Sequence, residues 1–279
     1  MRFLSAALVA TLLLPTAGLT QTLDKIKESG EFVLGFRTDA APLSFLDGDK
    51  GPQGYSPEIC VRLAAGIATA AGLETMDVVF EPVTTENRFE KVANGEVDLL
   101  CGAATITLAR RELVDFSTPT YVDGTTVALK LDAPETFDEL AGKKIGVRSG
   151  TTTLDALKNS LTSASIEAEI VEFEDHAAGM AALESDAVTA YFADQSILMS
   201  LVMTRPDAQD YKVFDQILTV EKHGLAMRRG DTDFRLAVDT GLSVLFEQGA
   251  VAEVYERTIP AARPGFALEA MFLLSPTLP

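Results

Sequence analysis

The sequence predicts an α/β protein built of two lobes, the second of which is inserted into the first. Its 279 residues suit two domains of roughly 100–150 residues each. Short β-rich runs alternate with helical stretches, and this order predicts a parallel sheet with helices on its faces. An apolar share of 47% is ample for a buried core and excludes a disordered chain.

The first lobe opens with a β-α-β-α-β series. A strand is predicted over residues 31–37, and Ser56 then opens a helix that Gly72 ends. The apolar residues that recur at every fourth position of this helix, and form its buried face, are Ile59, Leu63, Ile67 and Ala71. A strand, a helix and a strand follow at residues 78–83, 86–94 and 97–101.

A second alternation starts near Thr125 and forms the inserted lobe. Its strands are predicted at residues 125–130, 144–148, 169–174 and 188–192. Its helices are predicted at residues 137–140, 151–161, 177–184 and 194–203. The chain then returns through a strand at residues 224–227 and a helical stretch at 231–256 that is broken at Gln248 and Gly249.

The domain boundaries follow from the two connections between the lobes. These connections are predicted near residues 121–125 and 217–224. The first lobe therefore comprises residues 21–122 and 222–279, and the second comprises residues 123–221. The tail from Arg263 onward has an apolar centre, so we expect it to pack across the first lobe.

The first twenty residues predict a secretory signal peptide. Arg2 supplies a basic start, residues 3–14 are almost wholly apolar, and small residues follow Pro15. An apolar core of about twelve residues is too short to span the ~30 Å of hydrocarbon in a bilayer. No cysteine lies near the predicted cleavage region at residues 18–21. We therefore expect a soluble, periplasmic protein without a lipid anchor.

Charge and motif content exclude several classes of function. A formal charge of −18 makes nucleic acid and anionic lipid poor partners. The only histidines are His176 and His223, and Cys60 and Cys101 lack the CxxC spacing of a zinc site. No GxSxG, HExxH, Walker A or GxGxxG pattern stands after a strand. The sequence therefore predicts no catalytic residue, metal or cofactor, and leaves the two cysteines as either a disulfide or two buried thiols.

Three arginines occupy equivalent positions in the predicted first lobe. Arg37 ends the first strand, Arg88 begins the second helix, and Arg110 lies just past the third strand. Strand carboxyl ends and helix amino ends share one edge of a parallel sheet, where ligands bind. A guanidinium group grips a carboxylate through two parallel hydrogen bonds. The alternative for each arginine alone is a solvated surface charge.

The second lobe offers complementary groups. Residues 149–152 join a strand to a helix, so that Thr151 and Thr152 form either an anion cradle or an ordinary N-cap. Asp194 follows a strand and is either an N-cap or an acceptor for an ammonium group. His176 precedes a helix and is either an anion donor or an exposed loop histidine. Together with the arginines, these groups predict a ligand with two carboxylates and one ammonium, which is a dicarboxylic amino acid.

At this point the chain resembles the bacterial periplasmic solute-binding proteins of family 3, most closely the members that bind glutamate and aspartate. The similarity runs over residues 22–259. The segments that carry it include GYSPEICVRLA, TENRF, NGEVDLLCGAATITLARRELVDFS, SGTTTLD, FEDHAAGMAALES and AYFADQSIL. The resemblance implies the type II periplasmic binding fold, with two lobes, each a mixed sheet flanked by helices, joined by two hinge strands. It also implies closure over an amino acid and delivery to an ABC permease, and we expect a monomer.

The resemblance also implies a role for each candidate residue. Arg110 and Thr105 would hold the α-carboxylate together with Thr151 and Thr152, and Asp194 would take the α-ammonium. The side-chain carboxylate would be held by Arg37, Arg88 and His176, with a hydroxyl from Thr85.

Two departures from the family pattern keep alternatives open. Ala103 stands where acidic-amino-acid binders usually carry a hydroxyl, which leaves a broad polar amino-acid binder as one alternative. A cysteine that pairs with Cys101 in several relatives is absent near residues 225–226, so Cys60 is the only possible partner.

A dehydratase on the same scaffold would recruit His176 or Glu86, for which the sequence shows no orienting partner. A sensory module that reports ligand to a membrane receptor is the third alternative.

Overall fold

The computed structural model describes residues 21–133, 136–259 and 263–277. The predicted signal peptide, residues 1–20, lies outside the described residues. Within those three ranges no helix combines the length and the apolar character needed to cross a membrane.

The chain alternates helices and strands throughout. Up to residue 123 the elements are α1 (Thr22–Ser29), β1 (Glu31–Arg37), β2 (Asp39–Ala40), β3 (Ser44–Asp47), β4 (Gly51–Gln53), α2 (Tyr55–Ala70), β5 (Asp77–Val83), α3 (Arg88–Ala93), β6 (Leu99–Leu100), α4 (Leu108–Arg111), β7 (Val114–Phe116) and β8 (Tyr121–Asp123). The middle of the chain forms β9 (Thr125–Lys130), β10 (Lys144–Arg148), α5 (Thr152–Ala164), β11 (Glu169–Phe173), α6 (His176–Glu184), β12 (Ala190–Asp194), α7 (Gln195–Met203) and β13 (Tyr211–Val213). The last elements are β14 (Glu221–His223), β15 (Ala226–Arg228), α8 (Thr232–Glu247), α9 (Ala250–Thr258) and α10 (Phe266–Leu274).

Two five-stranded mixed sheets organise the molecule. The first has the order β5-β1-β6-β15-β7, with β1 parallel to both neighbours and β15 antiparallel to both of its own. The second has the order β11-β10-β12-β9-β13, with β10 parallel to its neighbours and β9 antiparallel to its own. We refer to the parts built on these sheets as the first and second lobes. The two-lobed mixed α/β fold implied by the family resemblance is thereby confirmed. The parallel arrangement predicted for the β-α-β-α-β series is also confirmed, because β5, β1 and β6 are parallel, and the antiparallel strands lie outside that series.

A short antiparallel ladder lies between the two sheets. It pairs β8 with β14, so that Tyr121 lies opposite His223 and Asp123 lies opposite Glu221. Both strands fall within the predicted connections at residues 121–125 and 217–224. The return strand predicted from residue 224 begins instead at Ala226, because the amides of Gly224 and Leu225 donate to the Ala104 carbonyl and the Ser117 hydroxyl rather than to a neighbouring strand.

Helix α2 packs its apolar face into the core of the first lobe. The four residues predicted for that face are at most 5% exposed: Ile59, Leu63, Ile67 and Ala71. Cys60, on the same helix, forms a disulfide with Cys101 directly after β6, with 6.3 Å between their Cα atoms. A bridge across 41 residues limits the freedom of the unfolded chain and stabilises the fold by about 2–4 kcal/mol. It also fixes the position of the segment that follows β6.

The described part of the tail packs against the first lobe. Leu268 of α10 is 4% exposed and belongs to the same apolar cluster as α2. The Phe272 ring lies 6.3 Å from Phe246 and 6.1 Å from Tyr255, measured between ring centroids. Contacts between such rings contribute beyond the area they bury. The packing expected from the tail's apolar centre is therefore observed.

Candidate functional site

One crevice between the lobes gathers the candidate residues. Eight of the nine residues predicted to bind ligand line it: Arg37, Arg88, Thr105, Arg110, Thr151, Thr152, His176 and Asp194. The ninth, Thr85, is 5% exposed and contacts the side chain of Arg148, which also lines the crevice. The arrangement follows from the topology of the two sheets, because the residues that end β1, β10 and β12 all lie at this crevice.

Arg88 and Arg110 form a pair of neighbouring cations. Their guanidinium carbons lie 4.8 and 5.0 Å from the centroid of the Phe89 ring. Arg88 Nη1 donates to the carbonyl of Ala103 at 3.1 Å, and Arg110 Nη1 donates to the carbonyl of Thr105 at 2.8 Å. Burial lowers the pKa of both guanidinium groups, and the charge of Arg110 lowers the pKa of Arg88 further. Guanidinium nevertheless stays charged in proteins.

These two cations keep unused donor capacity. Among the described residues, no carboxylate forms a salt bridge with either arginine, and buried Arg88 Nε has no hydrogen-bond partner. A buried donor without a partner costs free energy that an incoming acceptor recovers. The surface-charge alternative for Arg88 does not hold, since the residue is 2% exposed. The pair is suited to receive a carboxylate.

Arg37 meets an arginine that sequence analysis did not predict, Arg148, in the same crevice. Arg37 Nε and Nη2 lie 2.7 and 2.6 Å from Asp39 Oδ1, while Arg148 Nε donates to Asp39 Oδ2 at 2.7 Å. Arg148 comes from the second lobe, so this ion pair joins the lobes. Sequence analysis missed Arg148, although it ends β10 just as Arg37 ends β1. It missed Asp39 because nothing in the sequence predicted the small β2–β4 sheet that positions it.

His176 is buried and neutral. Burial and the charge of Arg37 lower its pKa to about 3, so the imidazole carries no charge at neutral pH. Its Nδ1 lies 3.0 Å from the Tyr191 hydroxyl. Tyr191 comes this near because Gly179 has no side chain, and a Cβ there would stand 2.1 Å from the ring. The exposed-loop alternative for His176 is therefore wrong.

Asp194 stands at the N-terminal end of α7 without capping it. Its side chain accepts no hydrogen bond from the helix backbone. Instead, Thr153 Oγ1 donates to Asp194 Oδ1 at 3.4 Å, and His223 Nε2 lies 3.6 Å from Oδ2. Burial, followed by the charges of Asp123 and Glu221, raises the pKa of Asp194 well above its usual range. The N-cap alternative does not hold, and among the described residues no lysine or arginine forms a salt bridge with this carboxyl.

Glu221 is a further residue that sequence analysis missed, and it lies beside the crevice in contact with two of its threonines. Its Oε2 accepts hydrogen bonds from the hydroxyls of Thr105 at 2.6 Å and Thr152 at 2.7 Å, one from each lobe. Burial acts to raise the pKa of Glu221, but these hydroxyls and that of Thr219 lower it overall. Glu221 is thus an anion at the junction of the lobes, and only the β8–β14 register brings it there.

The loop at residues 149–152 serves partly as a cap. Thr151 Oγ1 donates to the carbonyl of Arg148 at 2.8 Å and accepts from the amide of Leu154 at 3.3 Å, so its hydroxyl is occupied as an N-cap. Gly150 has a φ of +66°, and a Cβ there would lie 3.2 Å from Thr85 of the first lobe. Glycine therefore suits both the turn and the close approach of the lobes.

Direct contacts close the lobes on each other. Arg88 Nη2 donates to the carbonyl of Gly150 at 3.4 Å, and the Thr85 hydroxyl oxygen lies 3.1 Å from the carbonyl oxygen of Ser149. Ser149 Oγ in turn donates to Glu86 Oε1 at 3.1 Å. The two lobes are therefore in direct contact beside the crevice.

Sequence comparison places the chain among solute-binding proteins. Residues 32–260 match the model of the bacterial extracellular solute-binding proteins, family 3. The chain is 31% identical to the L-glutamate/L-aspartate-binding protein of Pseudomonas aeruginosa, over 99% of this chain and 93% of that protein. It is also 31% identical to a glutamate/glutamine/aspartate/asparagine-binding protein of Rhodobacter capsulatus, over 83% of this chain and 68% of that protein.

Structural comparison agrees. An ancestral amino acid-binding protein, described as a precursor of cyclohexadienyl dehydratase, superposes with a TM-score of 0.74 at 27% identity, covering 86% of this chain and 99% of that one. The resemblance inferred from sequence motifs is thereby confirmed. With a family match over most of its length and a relative 31% identical across 99% of it, this chain belongs to the bacterial extracellular solute-binding proteins, family 3.

Proposed function

We propose that the protein binds an acidic amino acid, glutamate or aspartate, in the crevice between its lobes. The observation that carries the proposal is that two neighbouring guanidinium groups, buried Arg88 and partly buried Arg110, form no salt bridge with a described carboxylate and line the same crevice as the uncapped carboxyl of Asp194. A carboxylate on the ligand would pair with the two guanidinium groups, and the ligand's ammonium would favour the ionised form of Asp194. The relatives named for glutamate and aspartate support the same ligand class.

In the proposed complex the α-carboxylate lies on Arg110 with Thr105 and the loop at residues 151–152. The α-ammonium lies on Asp194. The side chain of the ligand extends toward Arg37, Arg88 and His176, with Thr85 nearby. Because Thr105 and Thr152 donate their hydroxyl protons to Glu221 without ligand, we infer that at least one of them turns toward the ligand on binding.

The proposed mechanism is closure about β8 and β14. In this proposal residues 21–122 and 222–279 move as one lobe and residues 123–221 as the other. Ligand contacts from both lobes stabilise the closed state relative to the open one. We further propose that residues 1–20 direct export to the periplasm, that the mature protein is monomeric and has no lipid anchor, and that it delivers its ligand to an ABC permease.

We propose binding without turnover. The ancestral relative described as a precursor of cyclohexadienyl dehydratase makes an enzyme the second candidate. A dehydratase needs a general acid near a leaving group. His176 is neutral at pH 7. Slight burial acts to raise the pKa of Glu86, but hydrogen bonds from hydroxyl groups, that of Thr85 first among them, lower this pKa to about 2. Neither group is therefore in its acid form at neutral pH, and we expect that neither prephenate nor arogenate is converted.

A thermal-shift panel of the twenty amino acids tests the ligand class. A ligand that binds only the folded state raises the melting temperature. We expect the largest shift with glutamate or aspartate and none with lysine or arginine, whose side chains would meet a crevice rich in guanidinium. The largest shift with a basic or an aliphatic amino acid would contradict the proposed function.

A further inference from the structure

The arginines of the crevice fall into two pairs with different carboxylate partners. Arg88 and Arg110 form no salt bridge with a carboxylate among the described residues. Arg37 Nε donates to Asp39 Oδ1, which also lies 2.6 Å from Arg37 Nη2, and Arg148 Nε donates to Asp39 Oδ2. We call the cluster of Arg37, Asp39 and Arg148 the distal end, because the ligand's side chain is proposed to extend toward Arg37. Arg88, on which that side chain also lies in the proposal, keeps its charge unpaired within the described part of the chain.

The carboxylate of Asp39 is permanently charged and screened from water. Its side chain is 17% exposed, against 3% for Arg37 and 4% for Arg148. Burial acts to raise the pKa of Asp39, but Arg37 and Arg148 together lower it to about 2. The group is therefore ionised throughout the physiological range.

A second carboxylate, that of Glu86, also lies near Arg148. Glu86 Oε1 lies 3.5 Å from Arg148 Nη1, although its side chain is 54% exposed and is therefore screened by solvent. His176 adds no charge, since its pKa is about 3. Arg37 and Arg148 thus form salt bridges with two carboxylates before any ligand arrives, whereas Arg88 and Arg110 form none among the described residues.

We propose that Asp39 determines specificity, by neutralising the distal arginines so that this end accepts a carboxamide side chain as well as a carboxylate. The inference rests on the proposed function, because it concerns the side chain of an amino acid bound in this crevice. A carboxylate on the ligand is repelled by Asp39, whereas the amide NH₂ of glutamine can donate a hydrogen bond to it. Asp39 therefore reduces the difference in affinity by which glutamate is preferred over glutamine.

The test is the ratio of dissociation constants for L-glutamine and L-glutamate, measured by calorimetry. In Asp39→Asn we expect the ratio, glutamine over glutamate, to rise by about 10- to 100-fold, because a like charge near the ligand has been removed. Asp39→Ser removes the same charge with a smaller side chain and is measured alongside, so the test does not depend on the folding of one variant. Asp49→Asn is the matched control, an exposed carboxyl in the turn between β3 and β4.

Each outcome is decisive. A raised ratio in either Asp39 variant, with no change in Asp49→Asn, supports the proposal. If both ligands weaken by the same factor, Asp39 only joins the lobes through Arg148, and the proposal is wrong. If the unaltered protein binds neither amino acid, the proposed function itself is wrong and this inference falls with it.

Discussion

Replacing Arg110 by alanine is expected to weaken the binding of glutamate or aspartate by roughly 10- to 1,000-fold. The guanidinium is partly buried beside Phe89 and has no carboxylate partner among the described residues, so the ligand's α-carboxylate would be its only anionic partner. Charge-assisted hydrogen bonds contribute about 1.5–3 kcal/mol each. Removing one member of a buried pair also leaves the other uncompensated.

Calorimetric titration of the purified variant measures this loss. Arg111→Ala is the matched control, because Arg111 is the next residue on α4 and is exposed. The control should bind as the unaltered protein does. Thermal unfolding of the ligand-free variants checks that both fold. Unchanged affinity in a folded Arg110→Ala protein would remove Arg110 from the site.

Asp194→Asn is expected to weaken binding by about 10- to 100-fold and to change the protons exchanged on binding. In the ligand-free protein, burial and the neighbouring Asp123 and Glu221 raise the pKa of Asp194, so the closed crevice favours its protonated form. A bound ammonium favours the carboxylate and displaces that proton. Affinity should therefore increase as pH rises, until Asp194 is already ionised in the free protein.

The proton count separates this effect from a general loss of affinity. Titrations in two buffers of different ionisation enthalpy give the number of protons released per ligand bound. We expect release by the unaltered protein, less release by Asp194→Asn, and an unchanged value for Asp186→Asn, an exposed carboxyl of the second lobe paired with Lys130. Equal proton release by all three proteins would show that Asp194 does not exchange a proton with the ligand.

The convergence of the arginines could be predicted because it depends on topology alone. Arg37 ends β1 and Arg88 begins α3, and a parallel arrangement brings such positions to one edge, while Arg110 lies on α4, in the connection that follows β6. The same rule, applied to the second lobe, would have found Arg148 at the end of β10. Asp194 was found in this way, since it ends β12.

Other features depend on structure that carries no periodic signal. Strands β2, β3, β4, β8 and β14 are two to four residues long, too short for an alternating pattern to identify. Asp39 and Glu221 lie on two of these strands, so their contacts with the binding edge could not be inferred. The neutral state of His176 likewise depends on burial between the lobes and on the distance to Arg37. By contrast, β1, β9 and β10 were predicted with their observed bounds, because each is a run of five to seven residues rich in β-branched or aromatic side chains.

A crystal structure of the protein with bound L-glutamate tests the central claim most directly. The account predicts one glutamate between the lobes, with its α-carboxylate on Arg110, its ammonium on Asp194 and its side chain directed toward Arg37. A glutamate bound elsewhere on the molecule, or bound in the crevice with its ammonium away from Asp194, would contradict the account.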